Sequence, residues 1–154
     1  MIEPPEITQS SARQTAVIHL TIPREEIQAA MGPAITEVLS VLGAQGIAPA
    51  GPLFDRHFRM DEGTFDFEVG FPVETPVTAT GRVHAGELPA ARVARTVYHG
   101  GYEGLGAAWG EFDSWLAAQG HTPAAGLWEC FLVGPESGPD EADWRTELVR
   151  PLTS

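Results

Sequence analysis

The sequence predicts an α+β fold built from two tandem β-α-β-β modules related by a pseudo-two-fold axis. Residues 31–55 and 105–129 match at an offset of 74 and are identical at many positions. The match resumes at an offset of 79, where residues 68–73 align with 147–152. Strand-like and helix-like patterns also alternate in the same order in both halves. We therefore expect antiparallel sheets that carry helices on one side and leave a cleft on the other.

Module one, about residues 13–74, is predicted as strand, helix and hairpin. The β-branched residues of 13–22 predict a strand that ends at Pro23. Apolar residues at three- and four-residue spacing then predict a helix with Pro33 in its first turn and Gly46 at its C-terminal cap. The strands of the closing hairpin are predicted at residues 53–60 and 64–73.

Module two, about residues 77–152, repeats this order. Extended segments are predicted at residues 77–84 and 91–98. The helix that follows has an apolar face and is predicted to end at Gly120; the face consists of Leu105, Trp109, Phe112 and Leu116. The strands of its closing hairpin are predicted at residues 126–133 and 144–152.

Length and composition limit the possible functions. The 154 residues suit one domain, so we expect residues 1–154 to form a single domain from both modules. The net charge of −12 argues against nucleic-acid binding, which needs a basic surface. A signal peptide and a membrane-length apolar run are not evident, which predicts a cytoplasmic protein. The chain has one cysteine, Cys130, and no His/Cys cluster, so we expect no bound metal. The glycines at 104 and 106 lack the third glycine of a dinucleotide-binding motif, so we expect no cofactor.

One acidic residue has an unusual position. Alternation along the strand 127–133 puts Glu129 on one face with Leu127 and Phe131. A buried carboxylate must be protonated, paired or hydrated. Glu129 therefore has either a functional role or a structural one, in which it pairs with an arginine such as Arg145 or accepts hydrogen bonds from backbone donors. Asp55 is its counterpart in the repeat, and the pseudo-two-fold axis should bring the two acids to equivalent positions.

Aromatic residues surround this acid in the predicted fold. Some of those on strands or at the start of the second helix must face the cleft; the candidates are Tyr98, Tyr102, Phe131, Phe65 and Trp144. Trp109, Phe112 and Trp115 have helical spacing and are interpreted as core residues. Flat rings around a carboxylate can hold a planar cation by stacking, cation–π attraction and charge neutralisation.

Several motifs, taken in order, resemble those of the GyrI-like small-molecule-binding domain family. The motifs are residues 64–73, 98–102, 128–135 and 144–152 with Gly120, and the resemblance covers about residues 13–152. It implies a duplicated β-α-β-β fold with a ligand cleft, and Glu129 stands where the family has a glutamate that attracts cationic aromatic drugs. A tyrosine is frequent in the family at the position of Phe131, so a hydroxyl partner is lost here.

The resemblance also implies candidate functions. Family members are effector-binding domains of multidrug-sensing AraC-type and MerR-type regulators, or stand-alone proteins, which this chain resembles because it has no DNA-binding portion. We expect a multidrug binder of hydrophobic, often cationic aromatic compounds, with no catalytic residue assigned. The alternative is a hydrolase of cyclopropane-bearing, DNA-alkylating natural products that uses Glu129 with Tyr102 or Tyr98. A third is a protein that interacts with gyrase or with a separate regulator.

Overall fold

The computed structural model describes residues 2–60 and 63–153, with the backbone alone at Arg59 and Met60. The predicted α+β class with antiparallel sheets is confirmed. In chain order the elements are β1 (Glu6–Gln9), β2 (Arg13–Pro23), α1 (Ile27–Ala44), β3 (Phe54–Met60), β4 (Thr64–Pro72), β5 (His84–Leu88), β6 (Arg92–His99), α2 (Leu105–Ala118), β7 (Leu127–Val133) and β8 (Arg145–Pro151). They form two compact units: the first unit comprises residues 11–90, and the second unit comprises 1–10 with 91–154.

The first unit is an antiparallel sheet with the strand order β3-β4-β2-β5 and one helix. Ala34, Val38 and Leu42 of α1 pack in its core with β-strand residues such as Ile18 and Phe67. The helix begins at Ile27, earlier than predicted, so Pro33 lies inside it. Proline removes one N–H donor and crowds the preceding turn of a helix, and the additional turn places Ile27, Ala30 and Met31 against the core.

The second unit has the strand order β1-β6-β8-β7 and carries α2. Its core contains Ala108, Phe112 and Leu116 of α2 packed with Ala94 and Leu148. The edge strand β1 was not predicted. Ion pairs link it to the sheet, because Arg95 contacts both Glu6 on β1 (2.7 Å) and Glu147 on β8 (2.8 Å).

The boundaries of the two units differ from those of the predicted modules. Residues 77–90 were assigned to the second module, but β5 pairs with β2 from Arg13↔Leu88 to Val17↔His84 and so belongs to the first unit. The strand predicted at 77–84 starts only at His84, after an isolated bridge between Thr80 and Val83. Each unit thus has a fourth strand at one edge of its sheet. In the first unit this strand, β5, follows the other three in the chain, and in the second unit β1 precedes the other three.

The closing hairpins of the two units share a register. Asp55 on β3 pairs with Val69, and Glu129 on β7 pairs with Leu148. The pairing shifts by one residue two positions later in both hairpins, after His57 and after Phe131. Asp55 and Glu129 therefore hold equivalent places in their own hairpins. That a pseudo-two-fold rotation superposes the units stays a prediction.

The helical segment Arg24–Ala44, which consists of α1 and the 3₁₀ turn before it, is long and apolar. It has 21 residues and a mean hydropathy of 1.3, and by length and composition it could cross a membrane. The core helix of a soluble protein passes the same test, so this is weak evidence for a membrane span. In the structure Ala34, Val38 and Leu42 of this helix are buried in the core of the first unit.

Candidate functional site

Glu129 lies on the face of its sheet that carries α2. Directly paired residues of antiparallel strands point to the same side, and its partner Leu148 packs with Phe112 and Leu116 of α2. The side chain is buried, with 8% of its surface exposed. The sequence predicted the site on the face without helices. Alternation shows which residues share a face, but it does not show which face the helix covers.

Trp109 of α2 is the hydrogen-bond donor to Glu129. Its indole Nε1 donates to Oε2 of the carboxylate at 2.7 Å. The salt bridge to Arg145 that the sequence left open is not formed, because the guanidinium of Arg145 donates to the carbonyl oxygens of Ala142 and Trp144. Across residues 2–60 and 63–153, Glu129 takes part in no ion pair. The hydrogen bond to this buried acid thus comes from a neutral donor.

Three predicted aromatic residues form one cluster. The ring of Tyr102 meets that of Phe131 edge-on, with centroids 5.5 Å apart, and that of Trp144 at a tilt, with centroids 5.0 Å apart. Phe131 lies two residues after Glu129 on the same face of β7, so the two side chains start about 7 Å apart. The structure therefore places one ring of this cluster, Phe131, two residues from the acid on β7.

Tyr102 occupies the exposed side of this cluster. It lies in the 3₁₀ turn Tyr102–Gly104 before α2, and 37% of its surface is exposed. A Cβ atom on Gly134 would lie 2.5 Å from its hydroxyl, so glycine at that position leaves room for the ring. Burial raises the pKa of the Tyr102 phenol, and the nearby Glu136 carboxylate raises it further. The phenol thus stays protonated at neutral pH and can donate a hydrogen bond.

Two other predicted residues contact different partners. Tyr98 is buried in the core of the second unit, and its hydroxyl donates to the carbonyl of Gly101 at 2.9 Å. Phe65 belongs to the first unit, where it contacts the ring of His57 edge-on at 5.1 Å and the guanidinium of Arg24 at 4.6 Å. These contacts give both residues packing roles within their own units.

The Asp55 position of the first unit has a different environment. Asp55 and His57 are both buried, and His57 Nε2 lies 3.6 Å from Asp55 Oδ1. The His57 ring stacks on Phe67 with centroids 4.9 Å apart. The acid of the first unit thus has a histidine of its own strand beside it.

A surface cavity lies elsewhere in the second unit. It has a volume of about 430 Å³ between the N-terminal segment and α2. Its lining residues are Ile2, Glu3, Pro4, Pro5, Glu111, Ser114 and Trp115. None of them was a predicted site residue, and the buried Glu129 does not line it.

Trp109 is the site residue that the sequence analysis missed. Its helical spacing with Phe112 predicted a core role, and the ring does pack against Phe112 at 5.8 Å. Spacing cannot indicate what the indole N–H contacts. The sequence did indicate that a hydrogen-bond partner was needed, because the indole N–H of a buried tryptophan usually has one.

Replacing Trp109 with phenylalanine should lower the free energy of unfolding by about 1.5 kcal/mol, because a hydrogen bond to a charged group is lost. Chemical denaturation would measure this loss. Trp115→Phe is the matched control, since it makes the same ring change on α2 and removes no hydrogen bond found in the described chain. Equal losses in the two variants would contradict a stabilising role for the Trp109–Glu129 bond.

Comparison with known proteins places these features in a wider context. The model of the GyrI-like small molecule binding domain matches residues 3–153. No curated protein sequence matches the chain.

Solved structures share the fold. The crystal structure of the EcmrR C-terminal domain has a TM-score of 0.85 and 17% identity, covering 98% of both chains. EcmrR in complex with DNA gives the same score and identity, but this chain spans only 57% of that chain. SAV2435 bound to tetraphenylphosphonium has a TM-score of 0.68 and 11% identity over 99% of this chain and 95% of that one. A hydrolase from Listeria innocua has a TM-score of 0.63 and 12% identity over 97% and 91%. At these identities the likeness concerns the fold alone.

Proposed function

Because the chain belongs to the GyrI-like small-molecule-binding domain family, we propose that it binds hydrophobic, often cationic aromatic molecules beside Glu129. The observation that carries this proposal is a carboxylate that is 8% exposed and has no ion pair in the described chain. A buried acid destabilises a fold unless it is protonated, hydrogen-bonded or paired with a cation. An organic cation can supply that pairing.

The neighbouring rings support an aromatic ligand. The ring of Tyr102 lies 5.5 Å from that of Phe131 and 5.0 Å from that of Trp144, measured between centroids. Aromatic faces attract cations. The net charge of −12 adds a long-range attraction for cations. The structural neighbour SAV2435, bound to tetraphenylphosphonium, indicates that this fold can hold such a cation.

Isothermal titration calorimetry with tetraphenylphosphonium tests this proposal. We expect saturable binding of one cation per chain and weaker binding of triphenylphosphine oxide, which is similarly aromatic but uncharged. Mass spectrometry of the recovered cation should show it unchanged. Equal affinities for the two compounds, or no binding of either, would contradict a cation site.

A hydrolase is the second candidate, and a particular feature favours it. Tyr102 is 37% exposed, so a substrate can reach its phenol as a proton donor, and a structural neighbour from Listeria innocua is a hydrolase. In this alternative Glu129 would activate water and Tyr102 would protonate the leaving group. Turnover of an excess of a cyclopropane-bearing alkylating agent would support it, and recovery of the intact agent would exclude it.

A further inference from the structure

Thr146 on β8 carries a buried hydroxyl group that is not satisfied. The residue is 0% exposed, and its Oγ1 has no hydrogen-bond partner among the described residues. In the sheet it lies between Tyr98 on β6 and Phe131 on β7, which are its direct partners in register. Buried hydroxyl groups nearly always have a partner, because leaving one unpaired opposes folding. An unpaired one beside a candidate site needs an explanation.

The first unit fills the equivalent position in a different way. There Phe67 on β4 lies between Leu20 on β2 and His57 on β3 in the same register. Phe67 is fully buried in the core, and the His57 ring stacks on it. The second unit thus has a small polar residue where the first unit has a large apolar ring. This difference occurs in the unit that holds Glu129 and the aromatic cluster.

The register also relates Thr146 to Glu129. Glu129 pairs with Leu148 and Phe131 pairs with Thr146, so Thr146 is the diagonal neighbour of Glu129 on the same face. Such diagonal neighbours are about 7–8 Å apart, which is about the span of one substituted aromatic ring. A cation held at Glu129 can therefore direct a substituent on one of its rings toward Thr146.

We propose that Thr146 is a specificity-determining residue whose hydroxyl donates a hydrogen bond to an acceptor on the ligand, one aromatic ring away from the cationic centre. This inference rests on the proposed function. Suitable acceptors are carbonyl, ether and ring-nitrogen groups. Because Thr146 is fully buried, the ligand has to move neighbouring side chains to reach its hydroxyl.

A matched pair of ligands and a matched pair of variants test this inference. The ligands are (4-acetylphenyl)triphenylphosphonium, which has the acceptor, and (4-ethylphenyl)triphenylphosphonium, which lacks it. Thr146→Val removes the hydroxyl and keeps the shape. Thr15→Val makes the same change at the other threonine whose buried hydroxyl has no partner in the described chain, on the face of the first unit opposite α1.

The wild type should bind the acetyl compound about five- to tenfold more tightly than the ethyl compound, the worth of one hydrogen bond. Thr146→Val should abolish this preference while its affinity for the ethyl compound is kept. Thr15→Val should keep the preference. Both variants should melt at the same temperature as the wild type or higher, because each loses an unpaired polar group.

The outcomes separate this inference from the proposed function. A preference that survives in Thr146→Val overturns the role of Thr146 and leaves the cation site in place. Equal losses for both ligands in Thr146→Val would also overturn it, because they would indicate a role in shape. If the wild type binds neither phosphonium, the proposed function fails and this inference fails with it.

Discussion

Glu129→Gln should lower the affinity for tetraphenylphosphonium about ten- to a hundredfold. The substitution keeps the size of the side chain and an oxygen that can accept the hydrogen bond from Trp109 Nε1, but it deletes the negative charge. An interaction with a buried charge is worth about 1.5–3 kcal/mol, and each 1.4 kcal/mol is about a factor of ten in affinity. The neutral triphenylphosphine oxide should bind nearly as before, because burial and ring stacking remain. Calorimetric titration of both compounds would measure this.

Glu111→Gln is the control for the effect of total charge. Glu111 is exposed on α2, so its replacement changes the net charge of the chain equally without changing the site. Its affinity for tetraphenylphosphonium should stay within about twofold of the wild type, since exposed charges are screened by salt. If Glu129→Gln weakens both ligands equally, Glu129 supports the structure of the site and not its charge preference. If it weakens neither, the acid has no part in binding.

Local patterns in the sequence were sufficient to predict most of the fold. Alternation and helical spacing located α2 and both closing hairpins, because each of these elements buries one face of its own residues. The edge strand β1 was missed because its four residues include a single large apolar side chain, Ile7, and its partner β6 lies far along the chain. The strand predicted at 77–84 meets β5 only at His84, and the pairing of β5 with β2 is likewise distant along the chain. Pairing at a sheet edge depends on long-range contacts that local periodicity does not contain.

The site was predictable only where it departed from the pattern. An acid within an apolar strand is conspicuous, so the sequence singled out Glu129, and it proposed Tyr102, Phe131 and Trp144 as aromatic residues near it. Trp109 and Thr146 conform to the patterns of a helix and a strand, and only their partners in space distinguish them. The unsatisfied hydroxyl of Thr146, in particular, follows from the arrangement of three strands.

Tyr102→Ala should weaken binding of tetraphenylphosphonium and of triphenylphosphine oxide alike, by about thirtyfold. The ring contacts both Phe131 and Trp144 and covers the exposed side of the cluster. A ligand that stacks there loses the burial of one aromatic face. The buried apolar area and the ring–ring attraction together are worth about 2 kcal/mol of binding free energy. Tyr102 carries no charge in the neutral range, so the loss should not depend on the charge of the ligand. This distinguishes Tyr102→Ala from Glu129→Gln.

Tyr102→Phe separates the ring from its hydroxyl and so separates the two candidate functions. A binder needs the ring, and its affinity for both compounds should stay within about twofold of the wild type. A hydrolase needs the proton of the phenol, and removing a general acid should slow turnover by at least about a hundredfold. Binding that survives Tyr102→Phe but not Tyr102→Ala, with the ligand recovered intact, is the result expected of a binding protein. Turnover that disappears in Tyr102→Phe while binding persists would instead establish the hydrolase.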